Sequence, residues 1–298
     1  MGFSAYLPDS ASLSYPFPYE FCSTLKTMSY PKLHLLPRKE ESLLRFHPWV
    51  FSGAIASIDG SPRDGDLVEV LDSRGRALGT GHYALGSIAV RMLSFDPQEP
   101  IDQAFYQHRL RAALKLRASM GLIRPEVEGN SSPNTTYRLV HGEGDGLPGL
   151  IIDIYASTAV VQAHSMGMHE ARQIIAEALM TVYGTEDKLT PPLEAVYYKS
   201  ETTLPTRDMR QMAEDGFLIG HTEASYVWEN GLKFIPDWVK GQKTGFFIDQ
   251  RDNRSLLRAY APNRRVLNAF CYTGGFSVYA LASGADRVDS LDSSGKAM

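Results

Sequence analysis

The segment that most constrains this chain is Arg265–Asp292, near its end. Arg265–Phe270 (RVLNAF) is a short, mostly apolar run with the length and composition of a buried strand. It runs into Cys271-Tyr272-Thr273-Gly274-Gly275, and Phe276–Ser283 beyond that turn reads as a helix. A second apolar run, Arg287–Leu291, ends on an acid, Asp292. Strand, glycine-rich turn, helix, strand and acid in that order open a nucleotide-cofactor domain. Without Cβ atoms, Gly274 and Gly275 let a ligand approach the backbone closely. The first amides of the following helix would then face that ligand. Asp292, at the tip of the next strand, is placed to accept hydrogen bonds from ribose hydroxyls. The G-x-G-x-x-G spacing of dinucleotide enzymes is missing, which disfavours a pyrophosphate ligand. An ordinary strand–turn–helix, its two glycines serving only close packing, is the competing reading.

Upstream stands Lys243–Arg254 (KTGFFIDQRDNR). Together these segments resemble motifs I and II of class I S-adenosylmethionine-dependent methyltransferases. More narrowly, they resemble the bacterial family that methylates cytosine C5 in large-subunit rRNA and carries an N-terminal PUA domain. Arg45–Gly53 (RFHPWVFSG) and His141–Leu150 (HGEGDGLPGL) match two further stretches of that family. The likeness runs from about Pro31 to Met298. It implies S-adenosyl-L-methionine as cofactor and a cytosine of 23S rRNA as substrate. It also implies a cofactor pocket lined by Asp249, Gln250, Arg251, Asn268, Tyr272, Thr273, Gly274, Gly275, Phe276 and Asp292.

In the resembled enzymes a cysteine thiolate adds to cytosine C6 and makes C5 nucleophilic; that cysteine lies well past motif II. Nothing in this chain matches it. Cys271 sits in the cofactor turn and reads as a small packing residue, and Cys22 lies in the leader, so no catalytic residue is assigned. The chain therefore reads as cut off after motif II. One strand–helix–strand unit leaves open sheet edges and an unburied face. The 298 residues alone are expected to lack methyltransferase activity.

The expected class is α/β in three parts. Residues 1–30 read as a poorly ordered leader, rich in proline and serine, either translated from upstream of Met28 or packed as an apolar tail. Residues 31–100 read as a small β-rich module with strands Leu67–Leu71, Ala77–Tyr83 and Ile88–Leu93, which the resemblance implies is a PUA-like, RNA-binding β-barrel. Asp72-Ser73-Arg74-Gly75 forms the hairpin turn between the first two. Residues 101–228 read as an α+β middle domain. It has helices over Ile101–Met120 and Met168–Tyr183 and strands Leu150–Tyr155, Thr158–Ala163 and Ala195–Lys199. Residues 229–298 read as the first part of a Rossmann-like domain. Asn230-Gly231 predicts a type I′ hairpin just before it, and Arg251–Tyr260 a helix within it.

A net charge of −4 excludes a wholesale nucleic-acid binder, so RNA contacts must come from local patches. Arg45, His47, Arg109 and Lys243 are the candidates. Trp49 either stacks on a base beside them or, with Phe46, Val50 and Phe51, fills the barrel core. In HGEGDGLPG the glycines make a bend that Glu143 and Asp145 cap, and a metal there is disfavoured. Cys22 and Cys271 form neither a disulfide framework nor a zinc pattern. The absence of a long apolar run or signal peptide points to the cytoplasm, with no membrane partner and a homodimer left open. Two rivals remain: a non-catalytic RNA-binding module, and a cofactor-dependent methyltransferase acting on a small molecule.

Overall fold

Short strands closed by turn residues dominate the first hundred residues. The computed structural model describes residues 30–123, 134–186, 189–205, 214–223 and 225–295, so nearly all of the expected leader lies outside the described residues. Strands β1 (Lys32–Leu35), β2 (Trp49–Phe51), β3 (Ile55–Asp59), β4 (Leu67–Leu71), β5 (Ala77–Tyr83) and β6 (Ile88–Ser94) form one sheet in the order β2-β6-β5-β4-β1-β3. Its two edge strands share a single core: Val50 of β2 is buried with Leu33, Leu35, Val68, Val70, Val90 and Met92, and Ile55 and Ile58 of β3 pack on that cluster. The β4–β5 hairpin turns where its sequence dictates. The Asp72 carboxylate accepts the backbone N–H groups of Arg74 and Arg76 at 2.9 Å each, and Gly75 takes φ +81°. Of Phe46, Trp49, Val50 and Phe51, only Val50 enters the core. Phe46 is 72% and Phe51 49% exposed, and the Trp49 indole N–H reaches out to Glu143 Oε1 at 2.8 Å.

Helix α1 (Gln103–Ser119) starts at Asp102, whose side chain accepts the Phe105 N–H at 3.0 Å. It buries Phe105, Tyr106, Leu110, Ala113 and Leu114. Then follow β7 (Thr136–His141), β8 (Leu150–Tyr155), β9 (Thr158–Ala163), α2 (Met166–Glu170), α3 (Arg172–Thr185), β10 (Ala195–Tyr198) and β11 (Gly216–Ile219). The five strands order as β11-β10-β9-β8-β7, antiparallel except for β9 and β10. The expected single helix Met168–Tyr183 is broken at Ala171, which ends α2 and starts α3. Arg172 Nη1 donates to the His169 carbonyl at 2.8 Å, closing the first helix as the second begins.

This sheet is buried on both faces, and period-two alternation sorts its residues. Ile152, Ile154, Ala159, Val161, Val196 and Tyr198 join α1 and α3 in one core. Tyr155, Val160 and Tyr197 face the other way, into a core with Val227, Phe234, Trp238, Phe246, Ile248 and Tyr279. The third unit supplies those partners through β12 (Val227–Glu229), β13 (Leu232–Phe234), α4 (Arg251–Leu256), β14 (Arg265–Ala269), α5 (Gly275–Ala282) and β15 (Arg287–Leu291). Asn230 and Gly231 take φ +49° and +78°, as a type I′ turn requires. Helix α4 is shorter than expected, because its end tightens into a 3-10 turn over Leu257–Ala259. Strands β14 and β15 pair in parallel, with Leu267 at 67% and Leu291 at 61% exposure. Among the described residues no helix is long and apolar enough to cross a membrane.

The first two units meet at His82. Its ring packs so closely on Gly167 that a Cβ there would come within 2.2 Å of it. Burial, with the nearby Arg91 charge, pushes its pKa down to about 4. An imidazole depressed from 6.5 is neutral when folded and protonated when unfolded between those values. Stability is therefore full above pH 6.5 and lost as pH falls toward 4, by about 3 kcal/mol in all. Denaturant midpoints at pH 7.5 and pH 5 should show this fall, and His82→Gln should flatten it; an unchanged pH slope in that variant would refute the assignment.

Candidate functional site

The turn after β14 builds one wall of a cavity of about 530 Å³. Gly274, at φ +77°, closes the turn with its N–H donating to the Cys271 carbonyl at 2.9 Å, and Gly275 opens α5. The Tyr272 N–H donates to Asp292 Oδ2 at 2.8 Å, and the Ser294 N–H to Oδ1 at 2.8 Å. These N–H donors hold the Asp292 carboxyl below the usual carboxylate range, so it is ionised at neutral pH. Thr273, Gly275, Phe276 and Phe270 complete this side.

The facing wall is the loop from Gln242 to Gln250. Tyr272 ties the walls together: its hydroxyl accepts the Gln242 N–H at 3.0 Å, and its ring meets Phe247 edge-on at 5.1 Å. Lys243 Nζ stands 4.7 Å from the Phe247 ring centroid. Lys243, Phe270 and Tyr272, all lining the cavity, hold φ of +51°, +62° and +48°. Left-handed backbone at non-glycine residues is costly and gathers where a site demands it.

Behind this loop lie two anchors. Lys199 Nζ, nearly buried, donates to the carbonyls of Trp238 at 2.5 Å and Gly241 at 2.6 Å. Glu229 is fully buried and receives Arg254 Nε and Nη2 at 2.8 and 2.7 Å, Arg251 Nε at 3.4 Å and the Tyr279 hydroxyl at 3.1 Å. Arg254 also donates to the Phe247 carbonyl at 3.0 Å, which carries the anchor to the cavity wall. Neither anchor was found in the sequence. Glu229 had one signal, an acid at an inward position of a strand whose other inward residue is Val227; Lys199 had none.

The structure thus brings Asp249, Gln250, Tyr272, Thr273, Gly275, Phe276, Asp292 and Lys243 to one cavity. Three of the expected lining residues stand elsewhere. Arg251 is buried on Glu229 and on the Thr136 carbonyl. Asn268 Nδ2 donates to Ser277 Oγ at 2.8 Å, inside the strand–helix unit. Gly274 acts through its backbone in the turn. The remaining RNA candidates lie apart from the cavity. Arg45 and His47 are exposed beside β2, while Arg109 on α1 is paired with Glu99 and the Leu93 carbonyl, both at 3.3 Å. Asp145 receives Arg117 Nη2 at 2.8 Å and the His141 N–H at 2.6 Å, so this acid braces its bend as expected. Among the described residues no group of three His, Cys, Asp or Glu side chains could hold a metal ion.

An ionised acid at a strand tip, helix amides beside it and several phenylalanines fit an adenosyl ligand by chemistry and size. Comparison with known proteins agrees. The profile of the S-adenosylmethionine-dependent methyltransferases matches residues 138–297. The chain belongs to that family. A PUA-like domain precedes the methyltransferase match, at residues 33–95. Among curated relatives, ribosomal RNA large subunit methyltransferase I of Klebsiella pneumoniae is 38% identical over 272 residues, covering 90% of this chain and 64% of the relative. The protein of the same name from Escherichia coli O139:H28 is 38% identical over 270 residues, with the same shares. The chain thus spans slightly less than two thirds of their length. A solved Streptococcus mutans protein, provisionally assigned as a SAM-dependent methyltransferase, superposes with a TM-score of 0.69 at 23% identity, covering 89% of this chain and 64% of that one. Another provisionally assigned methyltransferase, solved with SAH, gives 0.70 at 23% identity, covering 89% and 63%. At that identity the likeness speaks for the fold.

Proposed function

We propose that this methyltransferase-family chain binds S-adenosyl-L-methionine in the cavity at Asp292 and serves methylation of large-subunit (23S) rRNA. Cytosine C5 is the target position that the resemblance to the cytosine-C5 enzymes favours. The observation that carries the reading is the ionised Asp292 carboxylate, fixed by the Tyr272 and Ser294 amides beside the start of α5. The cofactor, when bound, supplies a methyl group on a sulfonium. The protein's own work is to seat it. Asp292 accepts the ribose hydroxyls, and the Gly275–Phe276 backbone and Phe276 ring line the adenosyl side. Lys243 and Asp249 offer a cation and an anion to the two ends of the amino-acid tail. The PUA-like domain and middle sheet serve to hold RNA. The division into units at about residues 31–100, 101–228 and 229–298 belongs to the same proposal, although the β12–β13 hairpin straddles its last boundary.

Activating a cytosine needs a nucleophile, and Cys271 does not suit that role. It is 7% exposed, with its thiol 3.5 Å from the Tyr272 carbonyl. Residues 1–298 are therefore expected to bind cofactor without turning it over. Titration calorimetry with S-adenosylhomocysteine should give saturable one-site binding, and the absence of binding would overturn the cofactor reading. Labelled methyl transferred to 23S rRNA by this chain would refute the inactivity. Label mapped to a position other than cytosine C5 would overturn the finer assignment.

A further inference from the structure

Arg91 stands in the middle of β6, in a strand otherwise largely buried, and its partners are set by register. It lies directly opposite His82 on β5 and Trp49 on β2, so the three form a row across one face of the sheet. That face meets the middle unit, leaving a cleft of about 240 Å³ lined by Arg91, His141, Glu143 and His164 with Gly142 and Gly149. Burial lowers the pKa of Arg91, a sign that its guanidinium has lost hydration. Yet among the described residues that guanidinium makes neither a hydrogen bond nor an ion pair. Glu143 and Asp64 attract it from beyond ion-pair distance, and one Glu143 carboxylate oxygen is already held by the Trp49 indole. The His164 side chain, which is exposed, has no hydrogen-bond partner among the described residues. A half-buried cation with no acceptor at hydrogen-bond distance gains from an anion seated against it.

We infer that this joint holds a phosphodiester of the RNA strand, with Arg91 as its ionic contact and His164 and His141 beside it. The inference rests on the proposal that the protein acts on RNA. Glu143 in the same wall and Asp64 nearby already act on Arg91, so the cleft disfavours a highly charged anion such as a polyphosphate. Next to Arg91, the rings of His47, Trp49 and Phe51 contact one another at 5.7–6.4 Å on the outer edge of β2, a surface on which unpaired bases can stack. Direction comes from shared walls. His141 also lines a second groove of about 460 Å³, and that groove shares Asp249 with the cofactor cavity. A strand anchored at Arg91 is thereby led along continuous grooves to the place of methyl transfer.

The test is fluorescence anisotropy with a labelled single-stranded RNA of mixed sequence, repeated over a salt series. Arg91→Gln should weaken binding roughly tenfold and flatten the dependence of log K on log salt by about 0.7, the share of one phosphate on a single strand. Arg91→Lys should keep most of the slope. Arg74→Gln, on the exposed β4–β5 turn, should change neither quantity. S-adenosylhomocysteine affinity should be the same in all, which shows that each variant is folded. Inorganic phosphate should compete with RNA in the unmodified protein. If phosphate binds through Arg91 while Arg91→Gln leaves RNA affinity and salt slope unchanged, RNA is not the ligand and the inference fails. If the unmodified protein binds no RNA, the underlying functional proposal fails instead.

Discussion

Replacing Glu229 with glutamine is expected to destabilise the cofactor unit by about 3–5 kcal/mol, the loss seen when one partner of a buried ion pair is removed. Glu229 is fully buried and is the common acceptor of Arg251, Arg254 and Tyr279. Glutamine keeps the shape but leaves two nearly buried guanidinium groups facing a neutral amide, one NH₂ of which points a donor at donors. Because Glu229 joins β12 to α4 and α5, the cavity loop should loosen with it. Urea unfolding followed by tryptophan fluorescence reads the change through Trp238, buried in the same core. A shift of less than about 1 kcal/mol, the scale of an exposed pair, would show that the network is dispensable. Glu229→Asp should recover little, since its shorter side chain cannot reach both arginines.

Asp292→Ala should lower S-adenosylhomocysteine affinity by roughly tenfold to a hundredfold, the usual loss for charge-assisted hydrogen bonds to a ligand. Overall folding should hardly change, because Asp292 braces only the turn at Tyr272 and its own strand end. The pH dependence separates this role from a general one. The Ser294 and Tyr272 amides keep the folded carboxyl ionised below the usual range, so affinity in the unmodified protein should stay level as pH falls through 5. Calorimetric titrations of both proteins at pH 7.5 and 5 would measure this. Equal affinities at pH 7.5 would remove Asp292 from the cofactor site.

What could be read from sequence was what near neighbours decide. The type I′ turn at Asn230-Gly231, the Asp72 hairpin and the strand limits Leu67–Leu71, Leu150–Tyr155 and Arg287–Leu291 follow from local turn chemistry and a two-residue period. β1, β2, β3, β7 and β11 escaped: β1, β2 and β11 are only three or four residues long, and β3 and β7 lack a decisive turn signal of their own. The cofactor turn was legible because its glycines and acid lie on one strand–helix–strand unit. Arg251 and Asn268 stand outside the cavity because a motif gives order along the chain, whereas a side chain's direction depends on what is buried behind it.

By itself the sequence determined the chemistry of the turn at Gly274, its acid at Asp292 and the family these belong to. The tertiary structure alone decided that Glu229 gathers two arginines from a helix 22 residues away or more and that Lys199 holds the cavity loop. These are contacts between side chains far apart in sequence, paired because burying a charge is unfavourable without a partner. No local propensity or period records such a pairing.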